Sequence, residues 1–262
     1  MADQRTFFTD GAAYDRMMGR WSAFAGAEFL DWLALPRGLR WLDVGCGTGA
    51  FTELLVARCA PVEVQGVDPA AAQIDYAKSR PGARPAQFRQ GDAQALPFAD
   101  DSFDVAVMAL VIAFVPDPAK AIAEMARVVR PGGWIAAYMW DLPAGGSPNG
   151  PLTSAMHSMG VTFAMPPSIA FSQRDKMLGL WSGAGLAAID TRAINVPVGF
   201  AGFDEFWELN SVVGPGGVAV RAMSPSARDQ LKARLREQLP KDRDGRISYV
   251  AHANAVKGQI PA

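Results

Sequence analysis

The chain has 262 residues, of which half are hydrophobic, and a formal net charge of −1 at neutral pH. That length and apolar content fit one large α/β domain, with or without a cap, while the near-neutral charge argues against an extended nucleic-acid interface. Two cysteines predict neither a disulfide framework nor a metal site, and the absence of a long apolar run or signal-peptide core predicts a cytoplasmic protein without a membrane span.

Residues 1–39 are expected to form a helical lid. Apolar residues at helical spacing over 24–33 predict an amphipathic helix. Two interpretations stay open for the stretch before it. It can be a helix packed on the sheet edge, or it can cover a cofactor, with Tyr14 and Arg20 as polar contacts and Met18 and Trp21 as the wall.

A glycine turn organises the chain. Residues 41–44 read as a short buried strand, glycines follow at positions 45, 47 and 49, and residues 51–58 carry a helical pattern. A strand, a tight glycine turn and a helix form the start of a nucleotide-binding unit. Gly45, Gly47 and Ala50 also satisfy the dinucleotide pattern, so a nicotinamide site and a purely structural turn remain alternatives here.

The second strand, residues 62–68, ends in a carboxylate. Asp68 lies where an acidic side chain can accept hydrogen bonds from both hydroxyls of a ribose. The alternative is that Asp68 caps a helix with Pro69 in its first position. The glycine turn upstream favours the ribose interpretation.

Strand and helix patterns then alternate. Strands are predicted over 86–90, 105–110 and 134–140, and Asp117-Pro118 gives the start of a helix with an apolar stripe. Such alternation predicts a doubly wound parallel sheet with right-handed crossovers.

Five motifs in this order resemble those of class I S-adenosylmethionine-dependent methyltransferases, type 11, the branch with ubiquinone and menaquinone C-methyltransferases. They are the glycine motif at 42–49, Val67-Asp68, Gly91-Asp92-Ala93 with 96–98, Phe103-Asp104, and residues 127–133. The resemblance covers roughly residues 40–140. It implies a Rossmann-like seven-stranded α/β sheet whose last strand is antiparallel and enters between the fifth and the sixth.

The same resemblance implies roles for individual residues around S-adenosylmethionine as the cofactor. It implies that Gly45, Gly47 and Gly49 back the methionine and ribose portions, and that Asp43 lies near the methionine amine. It implies that Asp68 binds the ribose diol and that Asp92 and the Ala93 amide bind the adenine edge. The backbone near Leu110 is implied to accept a hydrogen bond from the methionine amine. These roles suit a cofactor without phosphate, because the turn then serves close approach and not anion capture.

The alternation breaks after residue 141. We expect a core over 40–141, a cap or loop insertion over 142–172, and a C-terminal part of the core over 173–262 with a helical insertion at 201–222. Helices are predicted at 174–183, 203–209 and from Ser224-Pro225, and strands at 187–196 and 246–256. The glycine-rich residues 213–218 are predicted to be a loop.

The acceptor chemistry is less specified. The segment after the fourth strand, residues 111–114, is apolar where the family often has a polar residue, which favours transfer dominated by positioning. His157 is a weak candidate for a base, and the catalytic residue is otherwise unknown. Phe114, Trp140 and Trp207, with Met18 and Trp21, suit a small apolar or aromatic substrate as the partner. A cofactor-binding protein without transfer, or less favourably a nicotinamide oxidoreductase, remains the alternative.

Overall fold

The computed structural model describes residues 11–212 and 214–262, with side chains from Gly19 onward except that of Pro215. The strands are β1 (Arg40–Val44), β2 (Glu63–Asp68), β3 (Gln87–Gln90), β4 (Phe103–Ala109), β5 (Val129–Trp140), β6 (Ala187–Phe200) and β7 (Ile247–Gln259). The helices are α1 (Gly11–Leu33), α2 (Ala50–Cys59), α3 (Ala71–Ser79), α4 (Pro118–Val128), α5 (Gly150–Ser158), α6 (Arg174–Gly183), α7 (Phe203–Asn210), α8 (Gly214–Ala222) and α9 (Pro225–Gln238).

The strands form one seven-stranded sheet in the order β3-β2-β1-β4-β5-β7-β6. β1 pairs parallel with β2 and β4, whereas β7 pairs antiparallel with both β5 and β6. The fold class is therefore confirmed, including the antiparallel last strand between the fifth and sixth. β1 and β4 lie side by side although two strands, β2 and β3, separate them in sequence, and such a switch point opens a crevice at the carboxyl edge.

Apolar clusters cover both faces of the sheet. On one face, Phe29 of α1 is fully buried and its ring lies 4.7 Å from that of Tyr138 in β5. On the other face, Met125 of α4 and Trp181 of α6 are fully buried, and the Trp181 indole donates to the Ile135 carbonyl at 3.2 Å. Because both faces are covered, the central strands are near-continuous apolar runs, as the sequence pattern predicted.

The loop predicted at 213–218 is wrong from Gly214 onward, since α8 begins there; Val213 itself lies outside the described residues. Glycine has a low intrinsic helix propensity, which is why the sequence indicated a loop. Val220 at the other end of α8 is buried in the apolar cluster with Leu231 and Leu235 of α9. This tertiary packing outweighs the local preference.

Asp104 fixes the amino end of the central strands. Its carboxylate accepts from the Arg40 backbone N–H at 2.8 Å and from the guanidinium groups of Arg40 and Arg130, the latter at 2.6 Å. Burial raises the pKa of Asp104, but these hydrogen bonds outweigh that effect and hold it at about 2. The network ties β1, β4 and β5 together at the edge opposite the glycine turn.

Candidate cofactor and active site

The glycine turn after β1 adopts a backbone that other residues rarely take. Gly45, Gly47 and Gly49 have φ angles of +76°, +52° and +77°. A Cβ at Gly45 would lie 2.6 Å from the Val111 side chain, whereas a Cβ at Gly47 would meet nothing within 4 Å. Gly47 therefore borders open space, where a ligand can lie flat against the backbone.

Asp68 closes the turn from β2. Its carboxylate accepts from the Gly47 N–H at 3.0 Å and from the Ala70 N–H at 2.9 Å. The alternative role as a helix cap is not observed, because α3 starts at Ala71 and its cap residue is Ala70. Burial raises the pKa of Asp68, and the hydrogen bonds from Ala70 and Gly47 oppose this.

Asp43 lies fully buried beneath the turn. Thr52, in the first turn of α2, donates its hydroxyl to one carboxylate oxygen at 2.6 Å, and the other oxygen has no hydrogen-bond partner among the described residues. Burial raises the pKa of Asp43 to about 7, although the Thr52 hydrogen bond opposes the shift. An orphaned buried carboxylate oxygen is costly, and a bound ammonium group would satisfy it. The site thus fits the amine of a methionine moiety.

Sequence reasoning missed Thr52 as a partner in the site. A polar side chain in the first turn after a glycine motif was the available signal, because that turn faces the carboxyl end of the preceding strand. The contact itself depends on how α2 is oriented over β1.

Asp92 follows β3 at the same edge. It is exposed, and one carboxylate oxygen accepts from the Gln94 N–H at 2.8 Å in a turn that the Ala95 N–H closes onto the Asp92 carbonyl at 3.0 Å. Both predicted adenine contacts, Asp92 and the Ala93 amide, therefore lie in this surface turn. The exposed carboxylate keeps acceptor capacity for a ligand.

Leu110 follows β4 with a φ of +61°, an uncommon conformation for a residue with a Cβ. Its N–H donates to the Tyr138 carbonyl of β5 at 2.8 Å. The next residue, Val111, is the one that Gly45 would strike with a Cβ. Strain of this kind concentrates at functional sites, and here it lies directly beside the turn.

The predicted lid residues lie elsewhere or are not described. Arg20 donates to the Gly199 carbonyl at 2.6 Å and lies 3.7 Å from Glu205, and Trp21 is buried against Phe200 with ring centroids 5.2 Å apart. These contacts are at β6 and α7, four strands from β1, so the structure does not bring Arg20 to the glycine turn. The predicted contacts of the Tyr14 and Met18 side chains lie outside the described residues.

The remaining candidates are spread over the carboxyl edge. Trp140 ends β5 and is buried, and Phe114 lies in the short helical turn after β4. Trp207 of α7 lies under Lys232 of α9, away from the turn. His157 is exposed and stacks on Phe163 with ring centroids 4.9 Å apart. Neither Trp207 nor His157 is brought to the glycine turn.

Residues 42–137, which include every element of this site up to β5, match the methyltransferase domain family. These residues form a class I S-adenosylmethionine-dependent methyltransferase domain of type 11. The family and cofactor predicted from the motifs are confirmed, and the nicotinamide alternative is not favoured.

Similar proteins agree with this domain. The chain is 39% identical over 126 residues to the malonyl-[acyl-carrier protein] O-methyltransferase of Methylococcus capsulatus, covering 48% of this chain and 44% of that protein. It is 41% identical over 116 residues to the 2-phytyl-1,4-naphtoquinone methyltransferase of Thermosynechococcus vestitus, covering 44% and 52%. The chain spans about half the length of the curated relatives it matches.

A solved structure shares the fold at low identity. It is phosphoethanolamine N-methyltransferase 2 of Haemonchus contortus in complex with phosphomonomethylethanolamine and S-adenosylhomocysteine. The TM-score is 0.62 at 17% identity, over 100% of this chain and 61% of that one. Within the part of the chain that the structure describes, no helix is long and apolar enough to cross a membrane. Those residues also hold no cluster of three or more side chains suited to bind a metal ion.

Proposed function

We propose that this chain transfers a methyl group from S-adenosylmethionine to a small apolar or aromatic molecule. The observation that carries the proposal is the orphaned oxygen of Asp43 beneath a glycine turn that borders open space. A purely structural turn does not explain why a buried carboxylate oxygen has no hydrogen-bond donor, since buried polar atoms are normally hydrogen-bonded.

Each polar group at the edge has a place in this proposal. Asp68 holds the ribose hydroxyls, with its orientation set by the Gly47 and Ala70 amides. Asp43 and the backbone at Leu110 hold the amine of the methionine moiety. Asp92 and the Ala93 amide supply the acceptor and the donor that an adenine edge needs.

Positioning supplies most of the rate in this proposal. The bound cofactor supplies an electrophilic methyl group on a sulfonium. Residues 111–114 offer no acid or base, and His157 is exposed and stacked on Phe163, so the described chain aligns the acceptor and excludes water. Alignment of two reactants can lower a barrier by about 7–11 kcal/mol.

The acceptor lies, in this proposal, over the carboxyl ends of β4 and β5. In this proposal, residues 40–141 hold the cofactor and residues 142–172 cover the acceptor. Phe114 in the turn after β4 and Trp140 at the end of β5 give this region apolar, aromatic side chains, which suit an apolar ring better than a charged molecule.

Asp68→Asn tests the proposal, with Asp75→Asn as a matched control. Asp75 is an exposed carboxylate on the neighbouring α3 and forms an ion pair with Lys78 at 4.0 Å. Calorimetry with S-adenosylhomocysteine should show binding to the wild type and the control and about tenfold or weaker binding to Asp68→Asn, because the ribose loses a charged acceptor. Equal affinity of all three would refute the site. Binding without methyl transfer to any of a panel of aromatic acceptors would favour the cofactor-binding alternative.

A further inference from the structure

Trp140 is a buried hydrogen-bond donor without a partner. Its side chain is 3% exposed, and its indole N–H makes no hydrogen bond with the described residues. An indole nitrogen can only donate. A buried donor left unpaired is unfavourable, so such a group in a native fold calls for an explanation.

The position of Trp140 points to the acceptor side of the proposed active site. Tyr138, two residues earlier in β5, accepts from the Leu110 N–H at 2.8 Å. Trp140 therefore lies roughly 7 Å further along the strand, past the carboxyl end of β4. It pairs with Ala253 of β7, on the side of β5 away from the glycine turn. This is the place where a methyl acceptor would approach from beside the cofactor.

The surroundings of Trp140 restrict the chemistry of what can pair with it. Trp140 belongs to the apolar cluster that contains Leu152 and Met156 of the cap helix α5 and Trp21 of α1. A carbonyl oxygen accepts a hydrogen bond and brings no donor of its own. A hydroxyl would bring an O–H that this apolar cluster leaves unpaired.

We propose that the Trp140 indole N–H donates a hydrogen bond to a carbonyl oxygen on an apolar aromatic methyl acceptor. This rests on the proposed function and adds the group that selects the substrate. A pocket with such a donor rejects an analogue that lacks the oxygen, because the N–H would stay unpaired. Since Trp140 is almost fully buried, the acceptor can reach its N–H only when part of the surrounding apolar cluster moves.

Trp41 provides a matched control within the same chain. It is 1% exposed, and its indole N–H also lacks a partner among the described residues. Trp41 lies in β1 at the level of Val105 in β4 and lines a cavity of about 260 Å³ with Arg58 and Cys59. Trp41 therefore carries the same buried, unpaired donor, but it lies near the amino end of β1, away from the carboxyl edge where the acceptor would bind.

Nuclear magnetic resonance of indole N–H groups in the full chain, labelled with nitrogen-15 and saturated with S-adenosylhomocysteine, tests the proposal. The probes are acetophenone and ethylbenzene, which differ chiefly in the carbonyl oxygen. Trp140→Phe and Trp41→Phe assign the two signals. Acetophenone should move the Trp140 signal downfield and leave the Trp41 signal in place. Trp140→Phe should weaken acetophenone binding by about two- to tenfold and leave ethylbenzene binding unchanged, while Trp41→Phe changes neither.

The wild-type spectrum decides the matter even if Trp140→Phe does not fold. No movement of the Trp140 signal at saturating acetophenone, no binding of acetophenone, or equal losses for both probes in Trp140→Phe would each overturn the proposal. Calorimetry with S-adenosylhomocysteine comes first, so that failures can be told apart. Absent binding there defeats the proposed function and this inference with it, whereas normal binding with an unmoved indole signal defeats the inference alone.

Discussion

The buried carboxyl of Asp43 makes the stability of the free chain depend on pH in a defined window. Burial raises its pKa from 3.8 to about 7 in the folded chain. The native state therefore holds one proton more than the unfolded chain between these values. Stability from this group is present below about pH 4, falls as the pH rises to about 7, and is constant above.

The size of the effect follows from the same values. Each pH unit in the window costs about 1.36 kcal/mol, so the free energy of unfolding should drop by about 3 kcal/mol between pH 5 and pH 8 on account of Asp43 alone. Asp43→Asn carries no titrating group at this position and should lack this part of the drop. Thr52→Val removes the hydrogen bond that opposes the shift, so it should move the window to higher pH.

Urea denaturation of the wild type and both variants at pH 5, 6, 7 and 8 measures how the free energy of unfolding depends on pH. The quantity of interest is the difference in the free energy of unfolding between wild type and Asp43→Asn, because groups that do not interact with Asp43 titrate equally in both. That difference should change by about 3 kcal/mol across the series. A constant difference would show that Asp43 ionises normally in the fold, and the inference of an orphaned carboxylate oxygen would fail with it.

Four further variants probe the site and the sheet. Gly47→Ala should weaken S-adenosylhomocysteine binding by about tenfold or more, because its Cβ would enter the open space beside the turn. Gly49→Ala should mainly lower the melting temperature, since its Cβ would lie 3.0 Å from that of Ala77. The reverse pattern in calorimetry and thermal melts would contradict both expectations. His157→Ala should leave the methyl-transfer rate within about twofold, and a loss of a hundredfold or more in a product assay would identify it as a base. Asp104→Asn should lower the free energy of unfolding by about 1–2 kcal/mol at pH 7. The difference between wild type and variant should vanish as the pH falls through 4 towards 2, because the wild-type carboxylate then becomes protonated. A difference that persists at pH 2 would show that the arginine contacts do not depend on charge.

Local patterns determined the sequence of elements and the cofactor turn. Gly45, Gly47 and Gly49 were recognisable because only glycine takes positive φ at no steric cost, and Asp68 because it ends a buried strand. The alternation of strands and helices requires a doubly wound sheet, since a parallel pair needs a crossover. These are constraints between residues close in sequence.

Contacts between distant residues were decided by the tertiary structure. Arg20 donates a hydrogen bond to the Gly199 carbonyl and forms an ion pair with Glu205, both about 180 residues away in sequence. No local sequence pattern indicated these contacts. The helix at 214–222 forms because Val220 packs on α9, against the preference of its glycines. Burial likewise depends on the whole fold: it is the main cause that raises the pKa of Asp43, and it leaves the Trp140 N–H without a partner. The sequence determined which polar groups are present, while tertiary packing determined which of them are buried. The desolvation of a group depends on all the residues that surround it in the fold, and many of these are distant in sequence.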